Sequence, residues 1–298
     1  MKDEFTIDFI GVGFPKAGTT WLAKCLNEHP QVCMAAGKET QYFHSPINYQ
    51  EYPGQPKYFF ASNYKKGIDW LKNKFKQRKS GQILGEYSPS YISDSCSPAL
   101  IAEHNKKVKL IFMFRNPTDI LYSHYFQIRQ IKPFHGSFKK ALKKYSAFLK
   151  MYLPYTNTKK FLDIFPKEQI FFIVFDDLQE KSEEIFRKLC QFLGIDDSFK
   201  PKVLFKKVNT RFDIRYPWLR DFVFYLKVLL NINSTIRKIS KKINLFKNLN
   251  KIALMNIKKS DYQPMKHDTR QFLVKYFHDE NIKLGKLINR DLSGWNNE

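Results

Sequence analysis

The sequence predicts an α/β fold built on a mostly parallel sheet. Three observations carry that reading. Short runs of β-branched and aromatic residues have the length of buried strands, the stretches between them show helical apolar spacing, and a glycine-containing turn follows the first run directly. The chain of 298 residues holds 28 Phe and 16 Tyr, enough to fill a sizeable core and too much for a disordered chain. With 12 Gly and 14 Pro it is neither collagen-like nor of low complexity. No internal repeat or linker divides it, so one domain over residues 1–298 is expected.

Residues 5–12 (FTIDFIGV) read as the first strand. A helix through Trp21, Leu22, Cys25 and Leu26 follows and ends at His29-Pro30, because the residue before a proline is pushed out of the helical region. Residues 31–35 form a second strand, and residues 44–63, with Pro46, Pro53 and Pro56, read as a loop. A helix through Ile68, Leu71 and Phe75 leads to a strand at 82–85. Residues 108–114 (VKLIFMF) make the clearest core strand, and Pro117 suits the first helical turn after it, where a missing N–H costs nothing. Residues 170–175 (IFFIVF) are the last buried strand, and the helix through Ile185, Leu189, Phe192 and Leu193 stops at Gly194. Residues 218–258 and 268–288 read as mostly helical.

The four Cys, at 25, 33, 96 and 190, show no C-x-x-C spacing, so a zinc site is not expected and reduced thiols in a cytoplasmic compartment are. The opening MKDEFTIDFIGVGF lacks the basic start and long apolar run of a signal peptide. The most apolar stretch, residues 222–232, falls well below the ~20 residues that span a bilayer. The expected location is cytoplasmic, with peripheral contact at a membrane left open.

The formal charge is +23, from 51 Lys and Arg against 28 Asp and Glu. Two segments carry most of the excess. There is no acidic residue between Asp119 and Asp163, nor between Asp221 and Asp261, and each interval holds nine Lys or Arg. Such clustering points to an anionic partner: a polyanionic glycan, a nucleic acid or an acidic membrane surface. AT-rich coding would also enrich Lys, Asn, Ile, Phe and Tyr together.

Two segments look built for anions. The first strand runs into Gly13-Phe14-Pro15-Lys16-Ala17-Gly18-Thr19-Thr20-Trp21. A strand, a glycine turn and a helix start together present free N–H groups and the positive end of a helix dipole, about half a charge. Gly13 and Gly18 match the G-x-x-x-x-G part of a Walker A loop, but Thr19 stands where its Lys should be. The only Lys, Lys16, lies inside the loop. From there it can neutralise the oxygen bridging a transferred group to its leaving phosphate, which suits a donor with one 5′-phosphate and not a triphosphate. The Asp176-Asp177 pair after strand 170–175 superficially resembles a Walker B end, but Asp177 fits the start of the next helix and no metal is assigned. The second segment is Arg115 at the end of strand 108–114, with Ser123 two helical turns on. An arginine fork and a serine hydroxyl suit a second phosphate. The competing reading pairs Arg115 with Asp119. Of the nearby histidines, His44 is expected to be a solvated loop residue and His124 to be packed on its helix.

Together, FPKAGTTWL and FRNPTDILYSHY resemble the two donor-binding signatures of sulfotransferases that use PAPS (3′-phosphoadenosine 5′-phosphosulfate). The heparan sulfate and bacterial carbohydrate branch is most similar, because Lys38-Glu39-Thr40-Gln41-Tyr42-Phe43 resembles its K-E-x-x-F-F motif. Gly85-Glu86-Tyr87-Ser88-Pro89-Ser90-Tyr91 resembles its G-E-x-S-P-x-Y segment, and residues 268–295 its closing helix. The resemblance implies a five-stranded, P-loop-like domain, a metal-independent reaction and release of PAP. It implies that Lys16, Ala17, Gly18, Thr19, Thr20 and Trp21 hold the 5′-phosphosulfate, that Arg115 and Ser123 bind the 3′-phosphate, and that Glu39 is the general base. The family's basic loop over the nucleotide is not evident, and Lys258, Lys259 or Tyr262 are the candidates to replace it. A carbohydrate is the acceptor that the resemblance implies. The apolar stretch 222–232, followed by Arg237, Lys238, Lys241 and Lys242, separately suggests peripheral contact with an anionic membrane that holds a lipid-linked glycan acceptor. Nucleic acid is the least favoured partner. The alternatives are a P-loop kinase or NTPase, disfavoured by the missing Walker Lys, and a non-catalytic basic protein binding membrane or polyanion.

Overall fold

The computed structural model describes residues 5–45, 62–131, 136–144, 147–204, 212–232, 244–259 and 263–297. The elements in chain order are β1 (Phe9–Gly11), α1 (Thr19–Glu28), β2 (Val32–Met34), α2 (Ile68–Lys72), β3 (Ile83–Tyr87), α3 (Ser97–His104), β4 (Lys109–Phe114), α4 (Pro117–Ile131), α5 (Phe138–Lys144), α6 (Ala147–Lys150), α7 (Pro154–Leu162), β5 (Ile170–Val174), α8 (Leu178–Leu193), β6 (Phe212–Ile214), α9 (Pro217–Ile232), α10 (Leu245–Met255), β7 (Ile257–Lys259) and α11 (His267–Ile288). They form two compact units. The first comprises residues 1–121, 144–209 and 267–298; the second comprises residues 122–143 and 210–266.

The first unit is an α/β layer structure around a five-stranded, fully parallel sheet of order β2-β3-β1-β4-β5. Every strand matches a run expected from the sequence; β1, β2, β4 and β5 are shorter than expected, and β3 runs on past residue 85 to Tyr87. β4 lies between β1 and β5, and Leu110 through Phe114 have no solvent exposure, so the run is apolar at successive positions instead of alternating. Gly194 ends α8 in the left-handed conformation. Asn116 caps α4, its Oδ1 accepting from the Thr118 N–H at 2.9 Å, with Pro117 next to it. α11 packs on α7, where both Glu280 oxygens accept from Thr156.

In the second unit Tyr122, Tyr125 and Phe126 of α4 cluster with Phe138 of α5. α9 and α10 pack together, with the Lys227 Nζ donating to Asn250 Oδ1 at 2.7 Å. Residues 257 and 258, at the end of the stretch expected to be helical, are extended. With Lys259 they form β7, antiparallel to β6, because Asn256 ends α10 and binds the backbone of Tyr216 through both side-chain atoms. The segment 233–243, and Pro46, Pro53 and Pro56 of the expected loop, lie outside the described residues.

The stretch 39–45, after β2, has no regular structure of its own and is held by the segment that follows β3. Glu86 is fully buried, and its Oε1 accepts from the Thr40 N–H (3.1 Å), the Thr40 hydroxyl (2.8 Å) and the Ser88 hydroxyl (2.5 Å). The Gln41 N–H donates to Ser88 Oγ, the Phe43 N–H to the Tyr91 hydroxyl and the Ser45 N–H to Asp94 Oδ2. His44, expected to be solvated, is instead buried with 0% exposure beside Asp94, its Nδ1 3.7 Å from Oδ1. Burial lowers the His44 value and raises that of Asp94. His124 is buried on α4 as expected.

Burial pushes the Glu86 carboxyl from its ordinary value near 4.5 up to about 7, with the Ser88 and Thr40 hydrogen bonds pulling it back. The folded state therefore keeps this proton over a window in which the unfolded chain has lost it, and stability falls as pH rises through that window. Two outcomes follow in urea unfolding. Glu86→Ala, which strands three buried donors, loses about 3 kcal/mol or more. Glu86→Gln gains stability relative to wild type between about pH 4.5 and 7; a difference that stays flat with pH would contradict the assignment.

Candidate functional site

The site lies at the carboxyl edge of the sheet, where open parallel sheets bind ligands. From β1 the chain continues along β4, the Val12 N–H donating to the Ile111 carbonyl (2.9 Å) and the Phe14 N–H to that of Met113 (3.0 Å). That approach is so close that a Cβ on Gly13 would come within 2.3 Å of the Met113 nitrogen. The turn then brings Lys16 to φ 67° and Gly18, the N-cap of α1, to φ 93°. Gly18 offers no side chain, so the first N–H groups of α1 have no side-chain cap. α1 thus opens as an anion-binding end without an internal anion.

Three cations gather there. Arg115, just past β4, donates from Nη1 to the Lys16 carbonyl at 3.1 Å and stacks on Phe175, 4.7 Å from its ring centroid. The Lys38 Nζ, reaching from beyond β2, donates to Thr20 Oγ1 at 2.8 Å and lies 3.5 Å from Thr19 Oγ1. Burial lowers the Lys16 value below an ordinary lysine, and the positive charges of Arg115 and Lys38 lower it further. Burial lowers Lys38 as well, with Glu39 opposing. Like charges held this close are stabilised by a bound anion.

Glu39 stands next to Lys38, its Oε1 3.4 Å from Nζ, with the side chain 44% exposed. Its φ is 68° and that of Gln41 is 50°. Left-handed backbone in a non-glycine residue costs on the order of 1 kcal/mol and concentrates at functional sites. Both Lys16 and Glu39, singled out from the sequence, carry it. The hydrogen bonds of Thr40 and Gln41 to Glu86 and Ser88 hold the strained turn in place.

The expected residues fall into three groups. Lys16, Ala17, Gly18, Thr19 and Thr20 come together with Arg115 and, through Lys38, with Glu39. Trp21 faces inward: its indole donates to the Leu204 carbonyl at 3.2 Å, and its N–H is taken by the Gly18 carbonyl. Ser123 lies on α4 beyond Leu121, where the chain passes into the second unit. Lys258 lies on β7 in that unit, while Tyr262 and the Lys259 side chain lie outside the described residues. Asp119 is paired with Arg270 at 3.1 Å. Asp176 accepts from the Trp295 indole and Asp177 from Arg290, so the Walker B lookalike is engaged by the C-terminal segment. Sequence reasoning missed Lys38 and Glu86. Both stood inside quoted motifs, but nothing local marked one as reaching the α1 start and the other as the anchor of the Glu39 turn.

Comparison with known proteins places the chain in a family. A membrane-associated sulfotransferase, kil1, of Dictyostelium discoideum is 23% identical over 97% of this chain and 66% of its own length. Heparan sulfate glucosamine 3-O-sulfotransferase 3B1 of Mus musculus is 28% identical over 62% of this chain and 45% of its own. The human bifunctional heparan sulfate N-deacetylase/N-sulfotransferase 3 is 24% identical over 95% and 30%. The chain thus spans less than two thirds of each relative's length. The crystal structure of a sulfotransferase from Alicyclobacillus acidocaldarius shares the fold with a TM-score of 0.71 at 20% identity, covering 98% of this chain and 100% of that one. The sulfotransferase domain model matches residues 6–212, which include the anion loop, the Glu39 turn and Arg115, and the chain belongs to the sulfotransferase family.

Proposed function

We propose that this protein moves a sulfuryl group from PAPS to a hydroxyl or amine of a carbohydrate acceptor and releases PAP. The observation that carries the reading is the gathering of Lys16, Lys38 and Arg115 around the uncapped start of α1, with the Glu39 carboxylate 3.4 Å from Lys38. Glu39 offsets Lys38 in part, and a phosphosulfate adds negative charge beside Lys16 and the start of α1. The sulfotransferase domain is taken to extend through the whole chain, the second unit included.

Lys16 and the N–H groups of residues 17–20 hold the 5′-phosphosulfate, with Trp21 anchoring the helix that presents them. Arg115 and Ser123 take the 3′-phosphate. The donor supplies an activated S–O bond. Glu39 accepts the proton as the acceptor oxygen or nitrogen forms its bond to sulfur, and Lys16 stabilises the charge left on the phosphate oxygen as the old S–O bond breaks. No metal ion has a part in these steps. The acceptor is a carbohydrate, free or as a lipid-linked glycan, by analogy with the heparan sulfate enzymes among its relatives, and nucleic acid is not a partner. The location proposed is cytoplasmic, peripheral at the membrane.

Transfer of ³⁵S from labelled PAPS into a panel of glycans tests the reaction. Glu39→Gln lowers kcat by roughly 10²–10⁴-fold with donor affinity retained. Lys16→Ala lowers kcat by about 10²-fold or more. Arg115→Ala weakens PAP binding by about 10–100-fold in calorimetry, the range of a charged hydrogen bond. PAP binding in EDTA is expected to be full, and its absence would sink the reading.

A further inference from the structure

We propose that the outward face of α9 docks the protein on an anionic lipid surface, lying in the plane of the headgroups. α9 presents an apolar face to solvent. Trp218, Phe222, Tyr225 and Leu229 recur at intervals of three or four residues and so share one face. Their exposures are 67%, 60%, 58% and 61%. The other side of α9 is packed, with Val223 and Arg220 buried, Arg220 bonded to Asp221 and to the Arg129 carbonyl, and Lys227 reaching Asn250 of α10. A helix whose outer side met water alone would carry polar side chains there. Leu254 and Met255, at the end of α10, are also exposed.

Charge selects the occupant. Residues 122–143 and 210–266, the second unit, hold 18 Lys and Arg against three Asp, a surplus of +15 out of the chain's +23. Arg215, Lys247, Lys251 and Lys258 are exposed on it. An exposed aromatic face with Trp and Tyr, in a unit rich in exposed cations and in a stretch with no carboxylate from residue 222 to 260, has the composition of an interfacial helix on acidic lipid. A protein groove would match the apolar face without needing the surplus, and a soluble polyanion would match the surplus without needing the apolar face. No described helix is long and apolar enough to cross a membrane, so the contact is peripheral.

The test is co-sedimentation of the full chain with vesicles of phosphatidylcholine alone and of equal parts phosphatidylcholine and phosphatidylglycerol. Binding is expected to the anionic vesicles and to fall with salt. The double variant Trp218→Ser, Phe222→Ser loses about tenfold or more in partitioning. Lys247→Gln and Lys251→Gln each lose about fivefold. Retained PAP binding by each variant shows that it is folded. In the wild type, brominated lipid quenches a component of tryptophan emission that Trp218→Phe removes. Equal sedimentation with both vesicles, unchanged binding of the double variant, or absence of that quenching overturns the proposal. So does a concentration-dependent dimer that the double variant abolishes, which assigns the face to a second copy.

Discussion

The carboxyl group of Glu86 is the point from which the site is built. It sits near the end of β3, inside the sheet, and gathers three donors on one oxygen. Two of them belong to Thr40, the residue after Glu39. A rigid strand thereby fixes a turn that has no regular structure and two left-handed residues. Burying a carboxyl is costly, and it persists because its partners are already in place. The register continues in order, with Gln41 on Ser88, Phe43 on Tyr91 and Ser45 on Asp94. β1 and β4 belong to the same sheet and deliver the anion loop and Arg115 to the same edge.

The electrostatics of that edge are unfavourable in the free protein. Lys16 is half-buried, close to two other cations, and held in a strained backbone. Each of these costs stability, and under the proposed function each is relieved or used when the donor phosphate arrives. Preorganisation of that kind moves the cost of assembling charge from the reaction to folding. Lys38 joins the two halves, touching Thr20 on one side and Glu39 on the other.

The charge surplus has a different logic. Among the described residues Lys16, Lys38 and Arg115 gather at the edge of the sheet, while the second unit holds most of the excess and an exposed aromatic face. In the two proposals the same positive sign acts at two scales. At the loop it is a few partly buried cations acting over short distances. On α9 and α10 it is a solvated field, screened by salt.

The amino-acid pattern alone determined the five strands, the helix after each glycine or proline boundary and the anion loop, because these depend on neighbours in the chain. Gly13, Lys16 and Gly18 were legible for that reason, as was Arg115 at a strand end, while Glu39 was singled out only by the resemblance of its motif to a family's. Only tertiary structure decided what those residues meet. Thr40 finds Glu86 across 46 positions and Lys38 finds Thr20 across 18, separations that no local period encodes. His44 read as a loop residue, and the fold closed Tyr91 and Asp94 over it. Residues 257 and 258 read as helix, and a partner strand at 212–214 made them extended. Composition likewise marked 222–232 as the most apolar stretch but not which of its side chains face solvent. That is decided by what the rest of the chain packs against the helix, and here Val223 and Arg220 are buried while Phe222, Tyr225 and Leu229 are exposed.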